Sequence, residues 1–168
     1  HLCFRPGGIV NLYGGLGNQM FGYAFCLYMR KQDERRRWWI DAAACHSPGV
    51  HNGYELPDVF AETDVEIELP DDIHLTLEKI PAKHKLSIKE QHLSRAQSFE
   101  LSEKPLAVYA GCWQCYAYVE AYADELRNQF KFDEKRLNEK SRLLLESIGN
   151  RCSVSVHIRR GDYMDGNN

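Results

Sequence analysis

The residues best equipped for chemistry stand near the end of the chain, in His157-Ile158-Arg159-Arg160-Gly161-Asp162. They follow Val154-Ser155-Val156, an alternating run that reads as a strand from Cys152 to Ile158. That order mounts fixed positive charge at the carboxyl edge of a sheet, where open α/β folds bind ligands. Arginine offers a planar fork of donors, so Arg159 and Arg160 are suited to a phosphate or diphosphate. The competing reading is a surface ion-pair cluster, with Asp162 paired to a neighbouring arginine. His157 alternates with Val156 and Ile158 and so projects to the other face, where a lone histidine is more often structural than an acid or base. Arg160-Gly161-Asp162 also spells an adhesion tripeptide, read here as coincidence.

A second candidate lies near the start. Gly8-Ile9-Val10-Asn11-Leu12-Tyr13 reads as a strand, and Gly14-Gly15-Leu16-Gly17-Asn18 as a sharp turn opening a helix. Backbone amides and a helix N-terminus there could face an anion. The turn is neither a dinucleotide fingerprint, since Met20 stands where the third glycine belongs, nor a P-loop, since no Gly-Lys-Ser/Thr follows. Asn18 and Gln19 favour a ligand loop over a purely structural turn, because amides suit sugar hydroxyls or a base. Cys112-Trp113-Gln114-Cys115 could be half a zinc site or a redox pair, but it lacks a second ligand pair at standard spacing and falls far downstream of a first strand. There is no Gly-x-Ser-x-Gly elbow, no His-Glu-x-x-His and no prominent carboxylate pair.

The elements that must position these residues alternate. From Gln19 the apolar residues recur at helical spacing, and Arg37-Trp38-Trp39-Ile40-Asp41 reads as a second strand, completing a βαβ opening. From Ala42 to about Pro105 prolines break up the signal. Within it Glu55 to Phe60 suggests a short helix and Val65 to Leu69 a strand with one wet face, and the acidic residues from Glu55 to Asp72 read as a solvated face. Leu106 to Tyr109 reads as a strand, and Tyr118 to Phe130 as an amphipathic helix. A further helix is capped by Asp133, buries Leu137, Leu144 and Ile148, and stops at Gly149. Strands alternating with helices imply a largely parallel sheet.

Composition narrows the function classes. The chain has 168 residues, 43% hydrophobic and 27% charged, ordinary for a globular protein. A net charge of −3, from 21 basic and 24 acidic residues, argues against nucleic acid as a partner. No apolar run reaches the roughly 18 residues a membrane span needs. The start lacks an initiator Met and a signal sequence, so both ends read as cut. The six cysteines sit mostly in apolar or strand-like stretches and read as reduced thiols in a cytosolic compartment.

Taken together, the segments resemble glycosyltransferase family 11, the α-1,2-fucosyltransferases. Gly14-Gly15-Leu16-Gly17-Asn18-Gln19-Met20-Phe21 is similar to the family's opening motif, and His157 to Asp162 matches its first donor-binding motif. His51-Asn52-Gly53-Tyr54-Glu55-Leu56 resembles a segment of bacterial members, and Gly111-Cys112-Trp113-Gln114 their Gly-Tyr-Trp-Gln segment. The sequence departs from the pattern at Gly22, usually Gln, and at Cys112, usually Tyr. The resemblance implies a two-domain α/β GT-B fold, with residues 1–150 as a Rossmann-like acceptor-side domain and 151–168 as the start of the GDP-fucose-binding domain. It implies inverting transfer of L-fucose from GDP-fucose to the 2-hydroxyl of a galactose-terminated glycan, with no metal or other cofactor. On this reading Arg159 is catalytic, and His157, Arg159, Arg160, Asp162, Gly15, Gly17 and Asn18 bind the donor, with Asn18 also a candidate contact to the acceptor. The later donor-domain segments are absent, so the fragment alone is expected to be inactive. A bacterial cytoplasmic setting follows, with peripheral membrane association through a lipid-linked acceptor as an option. The alternative is a non-catalytic nucleotide or sugar binding module.

Overall fold

The computed structural model describes residues 6–46, 51–63, 68–69, 77, 79–91, 95–99 and 103–158. The chain divides into two compact units, His1–Asp133 and Glu134–Asn168.

The first unit is an α/β fold around a four-stranded parallel sheet of order β2-β1-β4-β3. The strands are β1 (Gly7–Asn11), β2 (Arg37–Asp41), β3 (Lys85–Lys89) and β4 (Leu106–Ala110). β1 lies between two parallel neighbours, so it is apolar and buried through Ile9 and Val10. Its crossover helix, α1 (Leu16–Gln32), returns the chain to β2. Helix α1 turns Tyr23, Ala24, Phe25, Leu27 and Met29 inward, and Arg30 and Lys31 in its last turn suit the helix dipole. The unit also contains the short helices α2 (Leu56–Val59), α3 (Tyr116–Glu120) and α4 (Ala123–Gln129).

Three expectations change here. β3 was hidden in the proline-punctuated stretch. Its alternation is real, with Leu86 and Ile88 half-buried and Ser87 and Lys89 exposed, as befits a lysine-bearing edge strand. The single helix expected over Tyr118 to Phe130 is two, because the chain leaves helical geometry at Tyr122 (φ −134°). The strand expected over Val65 to Leu69 survives as a parallel bridge from Glu68 to Ile40, and residues 64–67 lie outside the described residues.

The amino edge of the sheet is pinned by Arg36, which lies between α1 and β2. Its Nε meets Asp33 Oδ2 at 3.2 Å, with both side chains 2% exposed. Its Nη1 donates to Gly7 O at 2.9 Å and its Nη2 to Lys104 O at 3.0 Å. One guanidinium thus ties the end of α1 to the starts of β1 and β4, with its charge paired.

In the second unit α5 (Glu139–Gly149) is capped by Asn138, whose Oδ1 accepts the Ser141 N–H at 2.9 Å, and not by Asp133. Leu144 and Ile148, expected to be buried, are exposed, as are Leu143 and Leu145, and Leu137 is half-buried. The apolar periodicity is present, but the described residues of this unit do not cover it. Residues 152–158 form no strand and are exposed, because a strand needs a partner for its backbone groups and none is paired to it among the described residues.

Burial alone would raise the Asp33 pKa, but the bond and charge of Arg35, with the charge of Arg36, hold it below the ordinary carboxylate value. The unfolded chain therefore takes up this proton first as pH falls. The contribution is intact above the ordinary carboxylate range and is lost below about pH 4. Urea midpoints should fall across that window in the wild type. Asp33→Asn should flatten the slope and cost about 3 kcal/mol at neutral pH, because it takes the carboxylate away from a buried guanidinium.

Candidate functional site

The carboxyl edge of the sheet gathers three stretches far apart in sequence. The strand order reverses direction between β1 and β4, so their following loops flank a topological switch point. The loop after β1 turns at Gly14, whose φ of +71° side chains rarely adopt, and a Cβ there would sit 2.5 Å from Asn18 Nδ2. Gly15 then caps α1 without a side-chain bond, and the first turn holds no acid. The leading amides of α1 are thus disposed toward an acceptor or anion.

Gln19 joins the first stretch to the second. It is fully buried. Its Nε2 donates to Gly14 O at 2.9 Å and to Gly53 O at 2.8 Å, and its Oε1 accepts the Glu55 N–H at 2.9 Å. The carboxamide locks the glycine turn onto residues 51–55, and the His51 ring comes to lie against Gly15. Sequence reasoning offered Gln19 to a ligand; the structure uses every part of it internally.

The third stretch follows β4. Gly111 passes so close to Glu90 that a Cβ would collide with the Glu90 Cβ. Glu90 Oε2 accepts the N–H groups of Cys112 at 2.8 Å and Trp113 at 3.0 Å. Trp113 has a φ of 55°, rare for a bulky residue, and its buried indole stacks on Phe25 at 4.0 Å with the rings 4° from parallel. Gln114 follows, and its Nε2 donates to Asn18 Oδ1 at 2.5 Å. This bond consumes the Asn18 oxygen and one Gln114 donor. It leaves the pair an NH2 on Asn18 and an oxygen on Gln114, one donor group and one acceptor.

Asn11, Tyr13, Asp41 and Cys112 stand at the same carboxyl edge of the sheet. Burial, then the Asp41 carboxylate and Cys112, push the Tyr13 pKa up against an opposing bond from Asn11. Burial, then Glu90, push the Cys112 thiol up. Cys112 is therefore a protonated thiol near neutral pH, unlike a redox or metal-binding thiolate. Cys112 and Cys115 are free, and no group of metal-ligating side chains occurs among the described residues. A cavity of about 110 Å³ lies beside Asp41, His46, Tyr54 and Glu68, with the Tyr54 hydroxyl donating to Glu68 at 2.8 Å. On the other side Gly17 opens on an apolar groove of about 500 Å³ lined by Met20, Phe21, Tyr116 and Val119.

Of the residues singled out in sequence, Gly15, Gly17 and Asn18 come together here. His157 is exposed in the second unit, and Arg159, Arg160, Gly161 and Asp162 lie outside the described residues. Sequence reasoning missed Glu90. The signal was its position one residue beyond the alternating run at Lys85–Lys89, at a strand's carboxyl end.

No protein-family model matches the chain, and no solved structure matches it. It is 29% identical over 162 residues to an alpha-1,2-colitosyltransferase of Escherichia coli, an alignment that takes in 93% of this chain and 55% of that protein. The chain spans about half the length of the curated relative it matches.

Replacing Gln19 by Met preserves volume but strands two carbonyls and one amide. Gln19→Met should cost about 3 kcal/mol, at ~1 kcal/mol or more for each buried group left unpaired. Urea unfolding should show the loss, and amide exchange at Glu55 should rise before the central strand loosens.

Proposed function

We propose that the chain is the acceptor-side part, with the first donor-binding segment, of an inverting glycosyltransferase. It would move L-fucose, or a related sugar, from a GDP-linked donor to the 2-hydroxyl of a galactoside. The supporting observation is the meeting of residues 14–21, 51–55 and 111–114 at one sheet edge, in a chain similar to a colitosyltransferase over most of its length. These are three of the four segments that carry the family-11 resemblance, and no local sequence effect would bring them together.

In this reading the acceptor oxygen bonds to the sugar C1 as the C1–O bond to the diphosphate breaks. The electron pair leaves with GDP, and the acceptor hydroxyl gives its proton to water. Arg159 and Arg160 would stabilise the charge that grows on the diphosphate, in the place a metal would otherwise take, and His157 and Asp162 would belong to the donor site. Residues 1–150 would form the acceptor-side domain and 151–168 begin the donor domain. No described helix is long and apolar enough to cross a membrane, and the proposed setting is cytoplasmic, with a lipid-linked glycan as one acceptor.

The test uses the whole protein with GDP-fucose and, separately, a nucleotide-activated colitose, on galactosides. One of the two donors should be consumed with inversion. Arg159→Ala should lower kcat by about 100-fold or more, the ~3 kcal/mol of a preorganised contact, with Tm unchanged. Arg159→Lys should recover only part, since the charge remains but the fork is lost. Unchanged turnover in Arg159→Ala would refute the assignment. GDP binding without transfer would return the chain to a binding module.

A further inference from the structure

We propose that Glu90 is a positioning residue for the Asn18–Gln114 pair, acting from the edge strand through the backbone of Cys112 and Trp113. Four observations carry it. One carboxylate oxygen, Oε2, accepts two consecutive amides, which fixes the peptide planes on both sides of Cys112. Such charge-assisted bonds are among the stronger ones available to a loop. Gly111 has no side chain where one would strike Glu90, so the close approach is built into the sequence. Trp113 is held at a φ of 55°, a conformation that costs about 1–3 kcal/mol and persists only where the surroundings impose it. The next residue, Gln114, then reaches across to Asn18 at 2.5 Å, 96 residues away in sequence.

The chain of cause is short. The Phe25 stack holds the indole of Trp113, and Glu90 holds its backbone amide. Together they decide where Gln114 points. Without Glu90 two amides lose their acceptor, Trp113 can leave the left-handed region, and Gln114 has no fixed direction. The pair would then stop presenting its donor and acceptor at a set spacing, the arrangement suited to two neighbouring hydroxyls of a sugar. Glu90 Oε2 already serves both amides, and Glu90 Oε1 is buried without a hydrogen-bond partner among the described residues, so neither oxygen is placed to touch substrate.

The kinetic half of the test rests on the transfer reading above; the spectroscopic half does not. In ¹⁵N-labelled protein the side-chain amides of Asn18 and Gln114 report their mutual bond, assigned with Asn18→Asp and Gln114→Glu. Glu90→Ala should move both signals toward solvent-exposed positions. It should raise the acceptor KM by about tenfold, equivalent to ~1.4 kcal/mol, while kcat changes little. Glu90→Gln, which keeps one acceptor oxygen, should restore the signals and most of the KM. Tyr23→Phe, which removes a partly buried bond to Gln129 elsewhere, should move neither. Should Glu90→Ala fail to fold, Glu90→Asp serves: its shorter arm cannot reach both amides, and the two signals should shift. Unmoved Asn18 and Gln114 signals in folded Glu90→Ala or Glu90→Asp, or equal shifts in Tyr23→Phe, overturn the proposal. If the wild type transfers nothing, the transfer reading fails and the amide signals alone decide the role of Glu90.

Discussion

The buried carboxamide of Gln19 is the constraint on which the candidate site depends. A primary amide in a dry place must find partners for its donors and its oxygen, because each polar group left bare costs free energy comparable to a lost hydrogen bond. Gln19 finds them in Gly14, Gly53 and Glu55. None of those groups belongs to the sheet or to the body of a helix. One side chain therefore does for two irregular loops what a ladder does for strands. It also explains why Asn18, its neighbour, faces the other way. Successive residues on a helix point about a third of a turn apart, so when Gln19 turns inward Asn18 is left at the rim.

A second lock of similar kind closes the far side of the site. There a carboxylate holds main-chain amides, and aromatic stacking holds the side chain of Trp113. The strained backbone at Trp113 is stabilised from both directions, by a charge-assisted bond and by a stack worth about 0.5–1.5 kcal/mol beyond its buried area. Strain of this sort clusters where a loop must aim a particular group. The amino edge of the sheet is built differently. The Asp33–Arg36 pair and its carbonyl contacts tie strand starts together, well away from the loops that carry the candidate chemistry. An ion pair ties the strand starts at one end of the sheet, and hydrogen bonds between loops set the candidate site at the other.

Much of the scaffold was legible beforehand. The opening βαβ unit, β2 at Arg37–Asp41 and β4 near Leu106 follow from periodicity, because a central strand must be apolar on both faces and a crossover helix must repeat every three or four residues. β3 was overlooked because an edge strand needs only one buried face, and two half-buried residues among lysines make a weak signal. The apolar stripe of α5 read as buried, yet periodicity states only which residues share a face and not what covers them. Gly15, Gly17 and Asn18 were picked out by their turn chemistry, while Glu90 was not, since a lone glutamate after a short strand looks like any solvated charge.

The sequence by itself determined the class of fold, the sharp turn at Gly14 and the grouping of residues into segments. Those properties are set by near neighbours: backbone sterics at a glycine, alternation along a strand, the repeat of a helix. Tertiary structure alone decided that Gln19 is a brace and not a ligand, that Glu90 reaches the loop after β4, and that Asn18 meets Gln114. The reason is physical. A hydrogen bond between residues 96 positions apart has no trace in local periodicity, and it exists only because the parallel register of β1 against β4 brings their carboxyl ends to the same edge.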